Sequence, residues 1–586
     1  MNLLADPTAA RGAATPGENR FWAAWRTPAW AHLVALAVVL VALLPVVGTS
    51  SSFSADEGAV IVQATSLSDG RGWTVAHPAP ELDPDGVNYP LEFSAKGPRG
   101  WAPYAKHPLY PLLLAGAHRL GGVTGMVVLS LAGTVAAAGL AGALARRLDP
   151  SLVRPAIWVT GLASPLLVDG YLVIAHTLGA AAAAAAVLAA VVAIERRRPL
   201  IAIAVVPAIA GCVLLRSEGL FVAAALGVVA GVIGLSRRDV RVPATVVALG
   251  SVAAGLGARM LDGLWAAGIV GTAGRAAAAV PAAGDSAGLV EGRVQGFVLT
   301  WLTPGYGGQT VSGLALLVML AAVAVGAFTA RRDPGNGKRV MGCATLAAVA
   351  AVGALLTGPG TVVPGLLLAF PLAAAGLVLS GRPILRSATA RIASGVCALF
   401  LLAVLATQYA KGGGGEWGGR YFALALPIGI PVLLLALRDQ RARLAPRVAR
   451  WAVAGLVLCS LAMTTMGLSA VRASHRANAR LVAAVDRAGH GLDTAAGPLL
   501  VTTEGAMPRF AWPTFDRQRW LLAAPGDLDD LLARLRASGV SRVGFVTRDL
   551  ARDRAVLDEA GAAILSVDGS ESSRRWHVLV VRVNPE

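Results

Sequence analysis

Ala31-His-Leu-Val-Ala-Leu-Ala-Val-Val-Leu-Val-Ala-Leu-Leu-Pro-Val-Val-Gly48, followed a few residues on by Ser54-Ala-Asp-Glu-Gly58, decides how the rest of the chain is read. The first stretch is apolar over about the 20 residues that cross the hydrocarbon core of a bilayer. The second sets two adjacent carboxylates, Asp56 and Glu57, just beyond its end. Similar apolar runs recur near 123–145, 154–169, 173–194, 199–215, 219–235, 242–261, 311–329, 340–356, 361–379, 391–408, 421–438 and 449–469. They predict an all-α polytopic membrane protein of about thirteen transmembrane helices.

Composition agrees. Of 586 residues, 55% are hydrophobic and 15% charged, against roughly a quarter charged in soluble proteins. The formal net charge is +17. Most Lys and Arg lie in short clusters between apolar runs, which fits topology and anionic lipid and speaks against nucleic acid. Cys212, Cys343, Cys397 and Cys459 all sit inside apolar runs, without metal-ligand spacing and away from loops where a disulfide would form. Residues 1–28 read as a polar cytoplasmic tail, and the run 31–48 as a retained span rather than a cleaved signal.

With the N-terminus inside, the loops Ala145–Arg154, Glu195–Pro199, Ser236–Val242, Ala330–Arg339, Gly381–Arg391 and Arg438–Arg450 all fall on the cytoplasmic side. Each carries several basic residues, as the positive-inside rule requires. The expected membrane domain is 29–470, with outer segments at 49–122, 262–310 and 408–421. Residues 471–586 are expected as a small extracytoplasmic α/β accessory domain, with helices at 474–489 and Asp527–Ser538. Its strands are placed at Pro498–Thr503, Arg542–Thr547 and Trp576–Val583.

Four outer-side constellations carry candidate chemistry. Asp56-Glu57 could take a proton or hold a divalent metal through oxygen ligands; equally, the pair could cap a helix beginning near Ser54. In Trp101-Ala-Pro-Tyr-Ala-Lys-His-Pro-Leu-Tyr110, Pro108 reads as a helix start. Lys106 and His107 there could bind a phosphate, and the alternative is an interfacial aromatic belt. Arg216-Ser-Glu-Gly219 places Arg216 and Glu218 between two spans, where they either neutralise each other or face a substrate. In Glu416-Trp-Gly-Gly-Arg-Tyr421, preceded by Gly412–Gly415, Trp417 and Tyr421 offer sugar-stacking faces and Arg420 an anion contact. Asp169, His176, Arg259, Asp262 and Arg275 are further outer-side polar residues to which the sequence gives no role.

Ala-Asp-Glu-Gly, Lys-His-Pro-Leu-Tyr-Pro-Leu-Leu-Leu, Arg-Ser-Glu-Gly and Trp-Gly-Gly-Arg-Tyr, in that order over residues 30–440, resemble the GT-C superfamily of membrane glycosyltransferases. The likeness is greatest to the protein mannosyltransferase and aminoarabinose transferase branch and its actinobacterial relatives, which include arabinofuranosyltransferases. The resemblance implies a sugar donor carried on a polyprenyl phosphate and transfer at the extracytoplasmic face of the plasma membrane, to a glycan, lipid or protein acceptor. It gives Asp56 the part of base or metal ligand, with Glu57 as the nearest substitute, and Lys106 the part of lipid-phosphate ligand. His107 intervenes before Pro108 and departs from the Lys-x-Pro-type spacing. Arg420 is added as a second phosphate contact from its chemistry, and Arg216, Glu218, Trp417, Tyr421 and Tyr110 as substrate contacts. No cofactor beyond a possible divalent metal is expected. The competing reading is an envelope lipid or sugar transporter or flippase, for which internal repeats and mid-membrane ionisable residues would be the signals.

Overall fold

The computed structural model describes residues 27–91, 94–104, 106–279, 289–303, 311–358, 363–381, 387–407, 417–492, 497–524, 526–568 and 576–583. The tail 1–26, the glycine run 412–415, Glu416 and parts of the expected outer segment 262–310 lie outside these. Among the described residues, ten helices are long and apolar enough to cross a membrane. The protein is therefore a multi-pass membrane protein.

The membrane helices that position the site are α1 (Ala29–Val47), α3 (Leu109–Leu148), α4 (His176–Glu195), α5 (Val205–Leu215), α6 (Gly219–Ser236), α7 (Arg241–Ala279), α8 (Val311–Arg332), α9 (Gly337–Thr357), α10 (Ala388–Thr407), α11 (Leu426–Arg441) and α12 (Pro446–His490). Between α1 and α3 lies the short helix α2 (Ala55–Ser68). Among the described residues, ten of the thirteen expected runs form these long helices. The run 199–215 forms only a shorter apolar helix. The runs 154–169 and 361–379 are broken, the first at Ser164-Pro165 and the second at Phe370-Pro371, because proline removes a backbone donor and clashes with the preceding turn.

Ala- and Gly-rich faces let these helices approach closely. A Cβ added at Gly133 of α3 would lie 2.6 Å from Thr177 of α4, and one at Gly455 of α12 would lie 2.8 Å from the Ala344 carbonyl of α9. On α1 the apolar side chains Val34, Val38, Val41 and Val46 are exposed, as suits a helix facing lipid. The α3 helix is kinked at Gly121-Gly122, where Gly122 has φ 59°. Its first arm, 109–120, exposes Leu112, Leu113 and Leu120 while burying Tyr110 and Leu114, the pattern of an interfacial helix. His118 and Arg119 of that arm bond to Ser68 at the end of α2.

The basic loops meet one another at a single end of the bundle. Arg147 pairs with Glu195, Arg438 with Asp149, and Arg197 with Asp239. The segments bearing the candidate site residues gather at the other end.

There the last span runs without a break into the C-terminal domain, since α12 continues to His490. The domain holds β3 (Leu499–Thr502), α13 (Ala506–Phe510), β4 (Arg519–Leu522), α14 (Leu528–Ala537), β5 (Arg542–Thr547), α15 (Leu550–Glu559), β6 (Ala563–Asp568) and β7 (His577–Arg582); β1 (Ala95–Gly97) and β2 (Gly100–Ala102) form a hairpin in the first outer segment. The five-stranded order is β4-β3-β5-β7-β6, with β3 parallel to β4 and β5, and β7 antiparallel to β5 and β6. The expected strands and helix match β3, α14, β5 and β7; α13, β4, α15 and β6 are additional.

The first outer segment is built into this domain. Ala79 and Leu82 lie in its core with Leu499, Val501 and Leu521. The Leu522 N–H donates to the Asn88 carbonyl (2.9 Å) and the Asn88 amide to the Leu522 carbonyl (2.9 Å), which covers the β4 edge. Buried Asp83 holds the turn by accepting from the Val87 and Asn88 N–H groups and pairing with His77.

Candidate active site

The motif Ser54-Ala-Asp-Glu-Gly58 opens α2, and each of its last three residues does a different job. Glu57 is buried, 1% exposed. Its Oε1 accepts from the Phe53 N–H (2.8 Å) and the Ser54 N–H (2.7 Å), and its Oε2 from the Val173 N–H (2.8 Å). This is the capping role, and it commits the carboxylate to orphan backbone donors. The reading of Glu57 as a substitute catalytic group is corrected accordingly. Gly58 is the point where the C-terminal domain touches the helix: an added Cβ would lie 1.7 Å from the Arg509 carbonyl oxygen.

Asp56, one residue earlier on the helix, turns outward to three cations. Lys106 Nζ lies 3.4 Å and Arg420 Nη1 3.2 Å from Oδ2, while Arg509 Nη1 lies 3.3 Å from Oδ1. Burial alone would raise the Asp56 pKa, but Lys106, Arg420 and Arg509 outweigh it and hold the carboxyl down at about 2. Burial lowers the Lys106 pKa, with Arg420 and Arg216 adding to that and Asp56 opposing it. A single carboxylate among three cations is an anion-binding arrangement with net positive charge.

The sequence expected Asp56, Lys106 and Arg420 here, and the structure brings them together. It did not single out Arg509, which α13 carries in from the C-terminal domain. Gly505-Ala-Met-Pro-Arg-Phe510 offers no motif beyond a basic residue in a short Pro-bearing turn after a strand.

In the late motif, Gly418 and Gly419 have φ +73° and +69°. Added Cβ atoms would meet Pro165 at 2.3 Å and the Thr300 carbonyl at 2.4 Å respectively, so both positions need glycine. That reversal sends Trp417 and Arg420 in different directions. Trp417 is 3% exposed, packed with Met463 and Val168 and close to Gly467. Its indole is a core anchor and presents no face to a sugar, contrary to the expectation. Tyr421 lies beside Arg420, whose Cζ sits 5.2 Å from the ring centroid.

Arg216 and Glu218 form a half-buried pair through two hydrogen bonds of 2.6 and 3.1 Å. Burial would raise the Glu218 pKa, and Arg216 reverses it. In this structure the two pair with each other beside the site, near enough for Arg216 to act on Lys106.

Tyr110 is 1% exposed and belongs to the core of α3, so its expected substrate contact is corrected. His107 is 8% exposed, and both ring nitrogens are engaged: Nδ1 with Asp262 Oδ1 (3.2 Å) and Nε2 with Ser217 Oγ (3.0 Å). It is turned from the anion site toward α7, which corrects its assignment as a phosphate ligand. Tyr104, on the same loop, places its ring 5.8 Å from Lys106 Nζ.

The residues present do not suit the possible divalent metal. Glu57 is spent on three N–H donors and Asp56 faces three cations; among the described residues, no group of three His, Cys, Asp or Glu side chains gathers.

The chain matches no protein-family model and no curated protein sequence. The likeness to solved structures is one of fold alone. The oligosaccharyltransferase of Archaeoglobus fulgidus, in its apo form, superposes with a TM-score of 0.51 at 12% identity, over 91% of this chain and 70% of that one. ArnT from Cupriavidus metallidurans bound to undecaprenyl phosphate aligns over 94% of this chain and 97% of its own, at 16% identity and a TM-score of 0.42.

Proposed function

We propose that this chain is a membrane glycosyltransferase that moves a sugar from a polyprenyl-phosphate donor to an acceptor hydroxyl. The reaction takes place at the extracytoplasmic face and serves cell-envelope glycan or glycoprotein synthesis, in the manner of the actinobacterial transferases its motifs resemble. The observation that carries the reading is the meeting of Lys106, Arg420 and Arg509 on one carboxylate, at the end of the bundle away from the basic loops. The positive-inside pattern supports placing that end outside. Shared fold with an oligosaccharyltransferase supports it further.

In this reading the polyprenyl tail lies between spans and the donor phosphate exchanges for Asp56 as the partner of the three cations. The acceptor oxygen forms its bond to the anomeric carbon as the bond from that carbon to the phosphate oxygen breaks. The displacement inverts the anomeric centre, and polyprenyl phosphate leaves with its charge stabilised by Lys106, Arg420 and Arg509. Asp56 is the catalytic carboxylate. Clamped by cations it is too weak a base to take the acceptor proton, and its part is electrostatic. Its fixed negative charge also favours the positive charge that grows at the anomeric carbon.

Exchange has a testable signature. Asp56→Asn frees the cations from an internal competitor, so purified protein in nanodiscs binds undecaprenyl phosphate more tightly than wild type. The same variant loses transfer of labelled sugar from polyprenyl-phosphate donors by about 10²–10⁴. Equal binding of undecaprenyl phosphate by wild type and by a Lys106→Gln, Arg420→Gln, Arg509→Gln triple variant would reject the site.

A further inference from the structure

Three segments distant in sequence bring Ser217, His107 and Asp262 into a chain of hydrogen bonds that the donor site does not use. His107 precedes α3, Ser217 sits in the turn between α5 and α6, and Asp262 lies on α7. His107 Nδ1 is 3.2 Å from Asp262 Oδ1, and Nε2 is 3.0 Å from Ser217 Oγ. Asp262 is buried, and Arg259 binds its other oxygen at 3.0 Å.

The proton positions follow from these partners. A carboxylate held by a guanidinium is an acceptor only, so the imidazole carries its hydrogen on Nδ1. Nε2 then presents a lone pair, and the Ser217 hydroxyl must donate to it. Asp262 and His107 are buried, whereas Ser217 is exposed. A reactant therefore meets this chain at the serine. Among the described residues, the charged groups adjoining this chain are Asp262, which contacts His107, Arg259, which pairs with Asp262, Arg216 and Glu218, which flank Ser217 in its turn, and Lys106, next to His107 in sequence. Two of these, Lys106 and Arg216, tie it to the anion site, where Lys106 contacts Asp56.

We propose that Asp262, His107 and Ser217 form a relay that takes the acceptor hydroxyl's proton during transfer, a role that rests on the transferase reading. The acceptor proton passes to Ser217 Oγ as the Ser217 proton passes to His107 Nε2. The acceptor oxygen bonds to the anomeric carbon, and the electron pair of the breaking carbon–oxygen bond goes to the leaving phosphate. Asp262 stabilises the imidazolium, which returns its proton to water after the products leave. The Gly219 and Leu220 N–H groups are engaged with the Arg216 and Ser217 carbonyls, so they do not serve as an oxyanion hole. Proton relay, and not a covalent intermediate, is what the turn supports. The relay also supplies a base that the three cations do not clamp.

Activation of Ser217 can be read without knowing the sugar. The full chain in nanodiscs is treated with a fluorophosphonate, whose phosphorus bonds to an activated serine oxygen as fluoride leaves and the serine proton moves to its base. The expected result is one adduct, located by peptide mass spectrometry on Ser217 and absent in Ser217→Ala. Labelling slows by about 10²–10⁴ in Asp262→Asn. His107 ties three segments together, so His107→Gln reports on folding as well, and Ser217→Ala, at an exposed position, carries the assignment. An unlabelled wild type, or Asp262→Asn labelled as fast as wild type, overturns the relay. The probe contains neither sugar nor polyprenyl lipid. Labelling without transfer therefore supports the activated serine while the donor reading fails, and transfer without labelling does the reverse.

Discussion

Asp56 shows how far a single residue's sequence reading goes. Two adjacent carboxylates after a span could have been a cap or a site, and the structure divides the two jobs between Glu57 and Asp56. The division was not legible because it turns on which residue faces the Phe53, Ser54 and Val173 N–H groups, a matter of helix phase. Arg509 was less legible still: it reaches Asp56 across 453 positions of chain, and no local pattern marks it. The charge of Asp56 has a pH signature. Its folded pKa is depressed from the ordinary 3.8 to about 2. Its stabilising contribution is therefore complete above the ordinary value and is lost only as pH falls from there toward the folded one. Thermal unfolding of wild type and Asp56→Asn is expected to differ by the same interval at about pH 8 and about pH 5, and by less below about pH 4. An interval that shrinks between the two higher values would mean that the cations do not hold the carboxylate.

At the scale of elements, glycine decides where helices and turns meet. Gly58 lets α13 rest on α2, because its missing side chain leaves room for the Arg509 carbonyl. Gly58→Ala is expected to push α13 away and break the Asp56–Arg509 pair, while the spans remain folded. Transfer falls, and limited proteolysis then cuts near Arg509 at enzyme concentrations that leave wild type intact; an uncut, fully active variant would contradict the close approach. Gly418 and Gly419 act similarly at the other arm of the site, where left-handed backbone turns Trp417 into the core and Arg420 toward Asp56. Sequence pattern found that motif but misread its aromatic, since Trp beside Arg and Tyr looks the same whether buried or exposed. The breaks inside two of the expected spans were hidden for a related reason. Apolar length does not reveal that Ser164-Pro165 and Phe370-Pro371 break their runs, whereas the long unbroken spans were legible from hydropathy alone.

For the whole molecule, the decisive feature is that the first outer segment and the C-terminal domain are one body. Ala79 and Leu82 complete the core under β3 and β4, Asn88 closes the β4 edge, and Arg534 reaches Asn88 Oδ1 at 2.7 Å. The strands of the domain could be found in sequence because each is a buried apolar run. Its completion by residues over 400 positions away could not, since Pro78-Ala-Pro-Glu-Leu82 reads as loop. This arrangement makes Arg509 dependent on the segment that also carries Lys106, so two of the three cations move together. Leu82→Asp places a charge without a partner in the domain core, a change that costs several kcal/mol. It is expected to raise hydrogen exchange in 499–502 and 519–522, and to weaken undecaprenyl phosphate binding although residue 82 lies outside the anion site. The helices α4, α6 and α10 should exchange as in wild type. If exchange rises in the strands but phosphate affinity is unchanged, the domain does not position Arg509 for the lipid, and the site rests on Lys106 and Arg420 alone.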